Sequence, residues 1–175
     1  MSIPPLPIVA CLDVHYRGRG GRAACLLLAG WEARQSLEEQ VALIPEVEPY
    51  VCGQLFRREL PCLLAVLAKV STPPSAIVVD GYVWLGGHLG LPGLGAHLYC
   101  ALGQQFPVVG VAKTRFGTPR EGGAAVELLR GTSRRPLFVT AAGADPGQAA
   151  SWIRSMHGPS RLPWALSRVD RLSRG

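Results

Sequence analysis

PIVACLDVH, residues 7–15, and SAIVVD, residues 75–80, are the two stretches of sequence that decide the fold. Each is a nearly unbroken apolar run, which is typical of a β-strand covered on both faces. One carboxylate interrupts each run, Asp13 in the first and Asp80 in the second. Strand patterns follow the first run, and strands alternate with helices after the second. This order predicts an α/β fold with a mixed central β-sheet flanked by helices, in which these two strands are joined at the centre.

Periodicity and breaker residues place the other elements. Further strands are predicted over residues 23–31, 34–44, 106–113, 125–130 and 136–140, and helices over 54–70, 93–103, 145–156 and 162–173. Between the first two strands, YRGRGGR reads as a hairpin turn with basic residues at its tip. Pro61 is tolerated best in the first turn of a helix, so the helix over 54–70 is expected to begin close to Arg57.

Length and composition limit the class of protein. A chain of 175 residues predicts a single domain spanning 1–175, and 48% apolar with 17% charged residues excludes a disordered chain. Glycine and proline interrupt every apolar run before the length of a membrane span, and the first residues lack the basic start of a signal peptide. We therefore expect a cytoplasmic monomer that does not enter a membrane.

The net charge is +6, from 18 Lys and Arg against 12 Asp and Glu. Arginine supplies nearly all of the positive charge, and its guanidinium suits bidentate contacts with phosphate. The excess indicates a polyanionic partner such as nucleic acid. An arginine-biased composition explains the same number without any partner.

Four carboxylates stand where apolar residues are expected. Asp13 and Asp80 end core strands, Glu59 falls on the apolar stripe of a helix, and Asp170 lies beside the apolar seam of the last helix. A buried carboxylate requires a cation, an arginine partner or protonation. Loop caps and ion pairs, for Glu59 with Arg57 or Arg58, are the structural alternatives. If all four converge, they form an oxygen-rich site suited to Mg²⁺ and to phosphodiester hydrolysis.

Residue spacing excludes several other catalytic motifs. GVAKT, residues 110–114, has Ala112 where a phosphate-binding loop requires glycine, and the upstream glycine is missing. The four histidines show no paired metal-ligand spacing, and no nucleophile turn is present.

Six strings, in order over nearly the whole chain, resemble the endonuclease V family of metal-dependent nucleases with an RNase H-like core. They are VACLDV (9–14), EPYVCGQLFRREL (48–60), IVVDG (77–81), LGAHL (94–98), PVVGVAK (107–113) and RLPWALSRVDRL (161–172). The resemblance implies that Asp13, Glu59 and Asp80 hold Mg²⁺, with Mn²⁺ as a substitute. It also implies that Asp170 assists a metal or a water and that Lys113 approaches the phosphate.

The same resemblance implies how the substrate is recognised. Tyr50 matches the tyrosine of a wedge loop that enters the duplex where the damaged base is turned out, and Gly53 would let the backbone approach that base. His88 stands in place of the histidine of a His-Pro-Arg string. The chain departs from the family pattern at Cys52, where proline is usual, in the loop after Asp80, and in PWALSR where PEPTR is usual.

The expected function is therefore metal-dependent hydrolysis of a phosphodiester bond near deoxyinosine in DNA, which is a DNA repair reaction. The altered loops leave two alternatives open. One is a ribonuclease acting on inosine-containing or structured RNA, and the other is a catalytically silent nucleic-acid-binding protein of the same fold.

Overall fold

The computed structural model describes residues 6–52, 54–85, 90–117 and 125–175. The strands within these ranges are β1 (Ile8–Arg17), β2 (Gly20–Ala29), β3 (Glu38–Ile44), β4 (Ala76–Asp80), β5 (Trp84–Leu85), β6 (Leu91–Pro92), β7 (Val108–Ala112), β8 (Val126–Leu128) and β9 (Leu137–Ala142). The helices are α1 (Leu55–Leu67), α2 (Leu94–Ala101), α3 (Pro146–Ser155) and α4 (Trp164–Arg174). No helix among the described residues is long and apolar enough to cross a membrane.

Seven strands form one mixed sheet in the order β3-β2-β1-β4-β7-β9-β8. The three central strands β1, β4 and β7 are parallel, and the outer pairs on both sides are antiparallel. Buried strands of this kind have apolar residues on both faces, which explains the continuous runs in the sequence. The prediction of a mixed sheet centred on β1 and β4 is confirmed.

Helices cover both faces of this sheet. α1 and α2 pack on one face, where Leu12, Leu27 and Val79 point, and α3 and α4 pack on the other, where Cys11 and Val78 point. Successive residues of a strand alternate between the faces, so β1 and β4 contribute to both apolar clusters. The sheet is therefore the middle layer of three.

Helix α1 differs from its prediction at the N-terminus. It begins at Leu55 rather than close to Arg57, so Pro61 lies inside the helix. A proline there removes a backbone hydrogen bond and costs about 3 kcal/mol. Burial of Cys62, Leu63 and Val66 against the sheet offsets this loss. In addition, the loop after Asp80 contains a short hairpin of β5 and β6 that the sequence did not predict.

Candidate active site

Asp13 and Asp80 meet where the parallel pairing of β1 and β4 ends: Asp80 is the last residue of β4, whereas β1 continues four residues beyond Asp13 to Arg17. Leu12 of β1 pairs in register with Val79 of β4, and the two aspartates are the next residue on each strand. Gly81 follows with a φ of +124°, a conformation that glycine adopts readily, and its N–H donates to the Val111 carbonyl at 3.1 Å. The chain therefore turns away directly after Asp80 and leaves this edge of the sheet open.

Lys113 reaches the same edge from the neighbouring parallel strand. Asp80 pairs in register with Val111 of β7, and Lys113 lies two residues beyond Val111 on the same side. Its Nζ donates to Oδ2 of Asp80 at 2.8 Å, and both side chains are 43% exposed. Burial opposes the ammonium charge, but the hydrogen bond and charge of Asp80 raise the pKa of Lys113 above its ordinary value.

Glu59 approaches from the opposite face of the sheet, on α1. Burial, followed by the charges of Asp13 and Asp80, raises the pKa of Glu59 to about 7. Burial also raises the pKa of Asp13, partly opposed by a hydrogen bond from Ser173 and reinforced by the charges of Asp80 and Asp170. These carboxylates are close enough to destabilise one another's charged forms.

Arg58 does not pair with Glu59 in the way that the structural alternative suggested. Its guanidinium lies over the Tyr16 ring, 3.8 Å from the ring centroid. No ion pair of Glu59 is present among the described residues. Glu59 therefore lacks a direct countercharge from this neighbour.

Asp170 comes from α4 and is paired within its own helix. Arg174 donates to Oδ1 at 2.9 Å and to Oδ2 at 3.1 Å, and the two residues form an i,i+4 ion pair. The hydrogen bonds from Arg174 hold the pKa of Asp170 below its usual range, against an opposing effect of burial. Asp170 is thus ionised near neutral pH.

All five side chains that were predicted to be catalytic line one cavity of about 200 Å³. They are Asp13, Glu59, Asp80, Lys113 and Asp170. Residues from five elements and from the segment after β7 contribute to it, so the cavity exists only in the folded chain. The structure therefore places the predicted residues together at one edge of the sheet.

No three His, Cys, Asp or Glu side chains in the described ranges are arranged as a ready metal-binding cluster. Two of the carboxylates instead have internal cationic partners, since Lys113 pairs with Asp80 and Arg174 pairs with Asp170.

A second cavity, of about 360 Å³, adjoins the first and shares Glu59 and Asp80 with it. Its wall is largely apolar and aromatic: Tyr50, Cys52, Leu55, Phe56, Gly81, Tyr82, Leu85, Pro92, Gly93, Leu94 and Phe116. Tyr50 is 63% exposed at its mouth. The other two predicted substrate-binding residues, Gly53 and His88, lie outside the described residues.

Sequence reasoning missed Ser173, which is fully buried on α4. Its Oγ donates to Oδ2 of Asp13 at 2.7 Å and also lies 2.8 Å from the carbonyl of Asp170. One hydroxyl proton serves these two acceptors. The sequence position of Ser173 could have identified it, because Ser173 lies seven residues after Leu166 and four after Val169, on the apolar stripe of α4. A polar residue on such a stripe requires a buried partner.

Comparisons with known proteins identify the family of the chain. The family model described as Endonuclease V matches residues 2–171. The chain is 37% identical over 185 residues to the endonuclease V of Xanthomonas oryzae pv. oryzae PXO99A, covering 95% of this chain and 76% of the relative. The crystal structure of the Streptomyces avermitilis endonuclease V has a TM-score of 0.77 and 32% identity, over 98% of this chain and 82% of that one.

A more distant structure shows the same fold. It is the Ciona intestinalis endonuclease V in complex with a 24mer DNA containing an inosine followed by a ribo-adenosine. The TM-score is 0.77 at 18% identity, over 97% of this chain and 84% of that one.

Proposed function

The chain belongs to the endonuclease V family, and from this membership we propose that it is a Mg²⁺-dependent endonuclease that cleaves DNA near deoxyinosine. The products would be a 3′-hydroxyl and a 5′-phosphate, and the reaction would serve DNA repair. The observation that carries the proposal is the single cavity shared by Asp13, Glu59, Asp80, Lys113 and Asp170.

The chemistry of these donors fits a divalent cation. Mg²⁺ takes oxygen ligands, and in nucleotide and phosphate sites it is held by one or two carboxylates together with water and substrate oxygens. The three carboxylates therefore need not all contact the ion directly, because water or substrate oxygens can complete its coordination. Burial, reinforced by neighbouring carboxylates, raises the pKa values of Asp13 and Glu59, and a bound cation would favour their charged forms. Asp13, Glu59 and Asp80 would hold Mg²⁺, and Mn²⁺ would substitute.

Each side chain then has a distinct task. A bound divalent ion supplies activation of water and stabilisation of charge on the phosphate. Lys113 is positioned to exchange its hydrogen bond with Asp80 for one with a phosphate oxygen, where its ammonium stabilises developing negative charge. Asp170, kept ionised by Arg174, accepts hydrogen bonds from water at the α4 side of the cavity.

The apolar cavity beside the carboxylates supports recognition of a base that has left the stack. Aromatic rings stack on any base, and inosine pairs weakly enough to be extruded at low cost. Tyr50 is exposed at the mouth, and Tyr82 with Phe116 forms a tilted aromatic pair in the wall, with ring centroids 6.0 Å apart. Because Glu59 and Asp80 line both cavities, a base held here would lie next to the reacting phosphate.

The proposal is tested with labelled oligonucleotides of one sequence that carry deoxyinosine in DNA, inosine in RNA or an unmodified purine. We expect the purified protein to cleave the deoxyinosine strand with Mg²⁺ or Mn²⁺ and not with EDTA. Faster cleavage of the inosine RNA would establish the ribonuclease alternative. Binding without cleavage under every condition would establish the silent binder and contradict the proposal.

Ser173→Ala is expected to weaken Mn²⁺ binding about tenfold, because residues that orient a metal ligand typically contribute 10–100-fold to affinity. The change removes the hydrogen bond to Asp13. Mn²⁺ affinity is measured by electron paramagnetic resonance of the free ion. Ser155→Ala is the matched control, since Ser155 makes the same bond to a carbonyl three residues earlier but contacts no carboxylate in the described structure. Equal affinities in the wild type and Ser173→Ala would remove Ser173 from the site.

A further inference from the structure

Beyond Asp13, the same face of β1 becomes basic. Alternate residues of a strand share a face, so His15 and Arg17 follow Asp13 on the side of the sheet that α4 covers. Arg22 of β2 pairs directly with His15 across the hairpin and points the same way. The strand therefore leads from a carboxylate cavity to a row of cations at the hairpin tip.

These cations line an open groove of about 440 Å³, which we call the hairpin groove. Its lining is His15, Arg17, Arg19, Gly20, Gly21, Arg22, Leu43, Ile44 and Pro45. None of the lining residues is acidic, although the chain as a whole carries 12 Asp and Glu. His15 also lines the carboxylate cavity, so the groove and the cavity border the same side chain.

We propose that the hairpin groove binds the sugar–phosphate backbone of the nucleic acid a few nucleotides away from the cleaved bond. This inference rests on the proposed function, since it requires a nucleic-acid substrate. Arg17 lies four residues beyond Asp13, about 13 Å along the strand at roughly 3.3 Å per residue. At about 3.4 Å of helix axis per nucleotide, this reach corresponds to some four nucleotides.

Two of the arginines also have structural partners. Arg17 donates to the Arg174 carbonyl, and Nε of Arg22 donates to the Leu172 carbonyl at 3.0 Å, so both contact the C-terminal end of α4. A cation at this end is favourable because the last carbonyls of a helix carry partial negative charge. A guanidinium has five N–H donors, and each of these two arginines uses one of them in its contact with α4. Arginines fixed in this way present their remaining donors to the groove with little loss of entropy.

Arg19 has no such partner among the described residues. It is exposed at the hairpin tip, and no side-chain hydrogen bond or ion pair of Arg19 is present in the ranges described. Glu46 and Glu48 line a neighbouring cavity that Arg19 also borders. They place negative charge on the far side of Arg19 and so limit the phosphate-binding surface to the side that faces the carboxylate cavity.

The test is equilibrium binding of a fluorescein-labelled deoxyinosine duplex to the full chain in EDTA, measured over a range of salt concentrations. Arg17→Gln/Arg19→Gln is expected to bind about tenfold more weakly than the wild type near 0.1 M salt. The double variant should also make the fall of the logarithm of the binding constant with the logarithm of the salt concentration less steep. We expect the slope to change by about 1.8, since each lost phosphate contact removes about 0.9. Arg19→Gln alone, which breaks no contact in the described structure, should lower the slope by about half as much.

Arg154→Gln is the matched control, because Arg154 is exposed on α3, which packs against β8 and β9 at the edge of the sheet opposite to the hairpin groove. A second experiment uses a duplex shortened to about two base pairs on one side of the inosine. If the shortened side is the one that reaches the hairpin groove, the wild type and the double variant should bind this duplex with equal affinity. The inference is wrong if the double variant binds and cleaves like the wild type, or if Arg154→Gln causes the same loss. A wild type that neither binds nor cleaves would instead contradict the proposed function itself.

Discussion

Asp80→Asn is expected to lower the rate of cleavage of a deoxyinosine strand by about a thousandfold and to change its binding by less than threefold. Loss of a group that acts on transition-state charge costs roughly 10²–10³ in rate, and Asp80 would in addition be a direct ligand of the ion. Asparagine keeps the size of the side chain and can still accept the hydrogen bond from Lys113. The fold therefore stays intact while the negative charge is lost. Single-turnover cleavage and fluorescence anisotropy measure the two effects separately.

Asp145→Asn is the matched control for this change. Asp145 is the N-cap of α3 and accepts a hydrogen bond from the Gln148 N–H at 3.0 Å. Asparagine is an equally good N-cap, so this variant should keep both its stability and its activity. Metal-dependent cleavage by Asp80→Asn within tenfold of the wild-type rate would show that Asp80 is not a metal ligand.

The centre of the sheet was accessible from the sequence because its cause is local. Strands covered on both faces must be apolar throughout, so the runs around Asp13 and Asp80 stand out against any other pattern. Parallel strands end at the same edge, and this places the two aspartates together once the strands are adjacent. The carboxylates of the site were visible for the same reason, since each interrupts an apolar stretch where a lone charge is unfavourable.

The partners of these carboxylates were not accessible, because they depend on contacts between distant segments. Ser173 is 160 residues from Asp13 along the chain and joins it only through the packing of α4 on β1. Pro61 was placed in a first turn because propensity favours that position, whereas tertiary burial of α1 overrides it. The pairing of Lys113 with Asp80 likewise follows from strand order, which periodicity does not determine.

Glu59 lies in a destabilising environment, and its effect on stability follows from linkage. The pKa of Glu59 is about 7 in the folded protein, against an ordinary value of 4.5. Between these values the folded state binds more protons than the unfolded state, so the free energy of unfolding falls as pH rises. The loss of stability begins as the pH rises above the pKa of Glu59 in the unfolded chain, and it is complete once the pH exceeds the pKa of Glu59 in the folded protein. At about 1.4 kcal/mol per pKa unit, it amounts to about 3 kcal/mol.

Glu59→Gln should therefore stabilise the metal-free protein at pH 8 by about 3 kcal/mol and have little effect near pH 4.5. Glutamine fills the same space without a charge, so the repulsion with Asp13 and Asp80 disappears. Urea denaturation in EDTA at the two pH values measures the difference. Glu32→Gln, a change at an exposed position outside the cavity, is the control and should leave the stability unchanged.

Addition of Mg²⁺ separates the electrostatic cause from a simple packing effect. A cation that binds only the folded state stabilises it by RT ln(1 + L/Kd), where L is the free ion concentration. If Glu59 is a ligand, Mg²⁺ should stabilise the wild type at pH 8 and should stabilise Glu59→Gln much less, so that the two curves converge. A Glu59→Gln protein that is less stable than the wild type at pH 8 in EDTA would mean that the Glu59 carboxylate is compensated within the fold. The cavity would then have no need of an external cation at this position.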